Sequence, residues 1–140
     1  MADREQQGMR RADWQLQLSA FVQERSDRPF DWGSNDCCTF AAGAVEALTG
    51  RNPMAGIESY ATEFGALRMV EEGGGLHALA TSLLGASVSP LLAAVGDVVL
   101  VMNAGREMLA VCNGTNAIAP GMSGGIVALG MNAALAAWKI

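Results

Sequence analysis

The chain has 140 residues and a net charge of −5; 51% of it is hydrophobic and only 16% charged. That length fits one domain with a real core. The acidic balance and the lack of a basic stripe argue against nucleic-acid binding, and no apolar run approaches the about 20 residues of a membrane helix. Residues 1 to 31 hold six acids and five arginines, and the rest of the chain holds eight acids and four bases. So sparse a charge fits either an Ala- and Gly-rich core in a small soluble protein or a surface partly covered by other subunits. The N-terminus is charged and shows no secretion signal. Three cysteines, two of them adjacent, suggest free thiols rather than a disulfide framework.

Residues 1–11 are polar and are expected to form a flexible arm, with a single α+β domain over 12–140. A helix starts near Asp13, a candidate cap, and carries Trp14, Leu18, Phe21 and Val22 on one face. Pro29 ends the segment. Phe30 to Asp36 reads as a loop. Cys37 to Thr49 reads as a second helix, with Cys37, Phe40, Ala41, Ala44, Val45 and Leu48 on its buried face. Asn35 or Asp36 caps it, and Gly50 closes it. A third helix capped by Ser59 is expected to bury Tyr60, Phe64, Leu67 and Val70 and to stop at Gly73. A fourth runs from Leu76 to Leu84, with His77 off its apolar stripe.

The period then shortens. Gly96-Asp97 reads as a turn, and Val98–Met102 and Met108–Cys112 as hairpin strands. Asn113-Gly114-Thr115 matches a glycosylation sequon but reads as a turn. Asn116–Ala119 and Ile126–Leu129 are further short strands. The tail from Ala133 is a short helix or strand that buries Leu135, Trp138 and Ile140. Helices first and an antiparallel meander second make an α+β plan.

Cys37 is the residue with chemistry to offer. A thiol in the first turn of a helix meets free N–H groups and the positive end of the dipole, which favour the nucleophilic thiolate. Its plain alternative is a small buried core residue, and the same holds for Cys38. The adjacent pair lacks the spacing of metal ligands. Neither metal nor cofactor is expected.

The pattern Phe30-x-Trp32-Gly33-x-x-Asp36-Cys37-x-x-Phe40 resembles the nucleophile helix of NlpC-type papain-like cysteine peptidases. It is most similar to the small NlpC-like proteins of tailed-phage and prophage tail operons. The order that follows supports the resemblance: a Gly-Gly segment, the strand Gly96-Asp97-Val98-Val99-Leu100, and a terminal Ala-Ala-Trp138. The resemblance implies a papain-like fold in which the Cys helix packs on a small antiparallel sheet. It also implies a histidine base opening the next strand, and Met108 stands in that place. Methionine cannot shuttle a proton. His77, the only histidine, is the alternative base, though its position suits an exposed helix residue.

The expectation is therefore a structural or assembly component of a phage tail tip or baseplate that lacks a competent triad. Such a protein is made in the host cytoplasm and ends in the virion tail. Its partners would be hub or other tail-tip subunits. The alternative is an active cysteine hydrolase, a peptidoglycan endopeptidase or amidase with Cys37 as nucleophile. A thiol redox role for Cys37-Cys38 stands third.

Overall fold

Four helices precede five strands in the computed structural model, which describes residues 9–140. The helices are α1 (Trp14–Ser26), α2 (Cys37–Thr49), α3 (Glu63–Glu72) and α4 (Leu76–Leu84). The strands are β1 (Val98–Asn103), β2 (Arg106–Cys112), β3 (Asn116–Pro120), β4 (Ile126–Gly130) and β5 (Ala134–Trp138). All neighbouring strands are antiparallel, in the order β4-β3-β2-β1-β5. The fold is α+β, as the order of sequence periods implies.

Helix α2 is the centre of the molecule because its sequence specifies both ends and a face. The Asp36 side chain accepts from the Thr39 N–H, and the Thr39 hydroxyl in turn accepts from the Asp36 N–H, closing a capping box. Gly50 ends the helix in the left-handed conformation that glycine adopts freely. Between them Phe40, Ala44 and Leu48 have no exposed surface. They pack with Val98, Leu100, Leu109, Val111 and Trp138 from one face of the sheet. The Phe21 ring of α1 lies 5.2 Å from that of Phe40.

The other face of the sheet carries a second apolar layer of Val99, Val101, Ala110, Cys112, Ala117, Ala119 and Ala137. Short segments around Val88 and Ala93 and around Met131 and Ala133 cover it. Both faces of β1 are thus buried, which explains its unbroken apolar run.

Several expectations need correction. Residues 1–8 of the expected arm lie outside the described residues. The last residues of that arm are docked: the Arg10 guanidinium donates to the Ile140 and Val95 carbonyls and to Asp97, and the Arg11 N–H donates to the Leu48 carbonyl. Asp13 precedes α1, but its carboxylate takes the Gln17 side chain instead of capping the backbone.

Helix α3 is capped by Thr62, not Ser59, and Tyr60 lies before it. Its inward residues are Ala66, Met69 and Val70, while Phe64 and Leu67 are 74% and 53% exposed. A later start rotates the buried stripe. The tail is a strand, and Leu135 is exposed rather than buried, because it lies at a register shift between β1 and β5.

Candidate thiol site at the α2 N-terminus

The loop before α2 is built to hold one carboxylate. Asp36 is 2% exposed. One of its oxygens accepts from the Thr39 N–H at 2.9 Å. The other accepts from the Gly33 N–H at 2.9 Å and from the Tyr60 hydroxyl at 2.6 Å. Gly33 is required for a steric reason as well. Its φ is +88°, and a Cβ there would fall 1.8 Å from the Tyr60 carbonyl oxygen. The buried Asn35 is held likewise, donating to the Pro29 carbonyl and accepting from Arg25. Asn35 and Asp36 are therefore supporting residues of the loop, as their turn chemistry implied.

Cys37 opens α2 half-buried, and Cys38 is buried behind it. The strand that meets the thiol is β2, and the hairpin dictates how. The Cys112 N–H bonds to the Asp97 carbonyl, so even-numbered residues of β2 bond towards β1 and odd-numbered ones point the other way. The β2–β3 ladder covers only Val111 and Cys112. Beyond that ladder the backbone of Leu109 faces the Cys37 thiol, and its N–H is one of the groups that favour the thiolate.

That donation is one of three that favour the Cys37 thiolate. The largest comes from the Cys38 S–H, and the Cys38 N–H adds a further one; burial and the Asp36 charge oppose them. The net effect holds the Cys37 thiol below its ordinary range. The same contact, with burial, pushes Cys38 well above it. Burial and donation to Asp36 likewise drive the Tyr60 hydroxyl up, so it stays protonated. A measurable consequence follows for alkylation. The Cys37 rate should rise through a midpoint below the about 8.5 of an ordinary thiol. Cys38→Ala removes the main donor and should move that midpoint up. An unchanged midpoint in Cys38→Ala would show that the pair does not act together.

The expected base is not beside this thiol. Met108 packs in the second layer, on the face of the sheet turned away from α2. The residue of β2 in contact with Cys37 is its neighbour Leu109, and it contributes only backbone. Met108 and Leu109 thus stand on opposite faces of the sheet, because side chains alternate along a strand. His77 is exposed on α4; its ring pairs with the Ser87 hydroxyl at 3.1 Å and lies tilted against Trp138, 5.2 Å between ring centres. Neither partner belongs to the Cys37 loop.

Sequence reasoning missed Tyr60, which looked like a core residue of α3. Its one signal was being the sole tyrosine of the chain. Among the described residues no cluster of three or more His, Cys, Asp or Glu is arranged to hold a metal, and no helix is long and apolar enough to cross a membrane.

Fold and site together define a class: an α+β domain with an activated, half-buried thiol at a helix N-terminus and no imidazole beside it. The chain belongs to the family described as a domain of unknown function, DUF6950, whose match spans residues 9–140. No curated protein matches it.

Proposed function

We propose that the protein is a structural or assembly component of a tailed-phage tail tip or baseplate, with an NlpC-type papain-like fold that has lost its catalysis. The observation that carries this reading is that the groups acting on the Cys37 thiol are a second thiol, two backbone N–H groups and the hydrogen-bonded Asp36 carboxylate, with no imidazole among them, while the one histidine pairs with Ser87. An amide hydrolase must also hand a proton to the leaving amine, and general acid–base help is worth about 10²–10⁴-fold. The nearest acids, Cys38 and Tyr60, both hold their protons more tightly than usual.

The surface supports a subunit that meets others. Phe64, Leu67, Leu91, Leu92 and Met122 are exposed, and aliphatic and aromatic side chains in such numbers suit contacts with hub or tail-tip proteins. The site of action on this reading is the virion tail, after synthesis in the host cytoplasm. One observation favours the alternative, a cysteine hydrolase acting on peptidoglycan stem peptides or an amide: the lowered Cys37 thiol. The two are separated by comparing the wild-type chain with Cys37→Ala, both on peptidoglycan fragments and for incorporation into tails. The structural reading expects the two proteins to behave alike in each assay.

A further inference from the structure

The two edges of the sheet are treated differently. On β5, Val88 and Ala137 exchange backbone hydrogen bonds of 2.8 and 3.0 Å, the ladder to β1 carries a register shift, and Lys139 follows the strand. These features protect an edge from further pairing. On β4, Ile126-Val127-Ala128-Leu129-Gly130, none is present: there is no lysine, proline or register shift. Among the described residues, no backbone hydrogen bond from β4 reaches any element but β3.

The free groups can be named. The Gly121 N–H bonds to the Gly125 carbonyl at the β3–β4 turn. In that register, Val127 and Leu129 bond to β3, and Ile126, Ala128 and Gly130 present their amides outward.

We propose that β4 is the pairing edge of a two-fold homodimer, in which β4 and its copy run antiparallel about an axis at Ala128. The outward set is self-complementary. Ile126 pairs with Gly130 of the second copy, Ala128 with its own equivalent, and every outward amide finds a carbonyl. Side chains fit in the same register. Ile126 stands over a glycine on one face, and Val127 stands against Leu129 on the other.

Charge selects a second copy as the occupant. The protein carries −5, so most surfaces repel their own image. Between Glu107 and Lys139, however, there is no charged side chain, and this edge meets its copy without like charges. A five-residue strand buries much less than the about 1,200–2,000 Å² of a stable complex, so the dimer should be weak, with a dissociation constant in the micromolar range. This inference stands apart from any phage role.

The test is sedimentation equilibrium of the wild-type chain, Ala128→Pro and Ala128→Lys, from about 1 to 300 μM, a range centred on micromolar affinity. Proline at 128 removes only an outward N–H and leaves the β3 ladder intact. Ala128 is exposed, so lysine there places like charges across the axis without entering the core. Thermal melts should show all three proteins folded. The expected result is a wild-type monomer–dimer equilibrium, weakened at least tenfold in both variants. Amide exchange at Ile126, Ala128 and Gly130 should slow as concentration rises, while Val127 and Leu129 stay protected throughout. A wild-type chain that remains monomeric to 300 μM, or a dimer that either folded variant leaves intact, overturns the proposal. So does a wild-type monomer that pairs through β4 only with a strand of another protein.

Discussion

Asp97→Ala will destabilise the fold by about 2–5 kcal/mol, the cost of leaving two backbone donors at a buried site without their acceptor. Asp97 has no exposed surface, yet four donors converge on it. Its carboxylate accepts from the Arg10 guanidinium at 3.1 Å and the Ile140 N–H at 3.0 Å through one oxygen. Through the other it accepts from the Ala94 N–H at 2.8 Å and the Lys139 ammonium at 2.6 Å. It joins the first described residues, the turn into β1 and the last two residues of the chain. Alanine would leave the Ala94 and Ile140 amides without their acceptor and take the carboxylate from Arg10 and Lys139, which keep backbone carbonyl partners and some contact with solvent. Arg10→Ala should cost much less, since its side chain keeps some contact with solvent and its loss leaves the carboxylate three donors. Urea melts of the two variants check the ranking; equal, small shifts would show that the termini are not held by this cluster.

Trp138→Ala should cost a similar amount, about 3–5 kcal/mol, as buried aromatic truncations do. The indole is wholly buried among residues of α2 and the sheet. Its N–H reaches the Thr81 hydroxyl at 3.3 Å, and His77 lies against its ring. It therefore fastens α4 to β5. His77→Ala would remove one wall of that packing from the solvent side and should cost under about 1 kcal/mol. A denaturation midpoint unchanged in Trp138→Ala would mean that α4 is held by other contacts.

Much of this arrangement was legible in the residues. Asp36 and Gly50 announce α2 because capping depends on local chemistry alone. The hairpin between β1 and β2 was legible for the same reason, through Ala104-Gly105. Helix α3 was misread because Tyr60 and Phe64 stand at a helical spacing that has no counterpart in packing. Tyr60 instead spends its hydroxyl on Asp36, a partner 24 positions earlier, and no local rule reports a bond of that span. The face of Met108 was equally hidden. Both faces of the sheet are apolar, so the pattern of β2 does not say which one α2 covers. Leu109 enters the site through its N–H, and a backbone group leaves no mark in a sequence.

The central claim is that Cys37 sits in a site without a histidine base, and hydrolysis measures it most directly. Purified wild-type chain and Cys37→Ala are incubated with peptidoglycan fragments, and newly released amines are counted over a day. The account predicts the same background release from both, with Cys37→Ala still entering tails in full amount. Turnover by the wild-type chain that disappears in Cys37→Ala would contradict it, and loss in His77→Ala as well would identify the base.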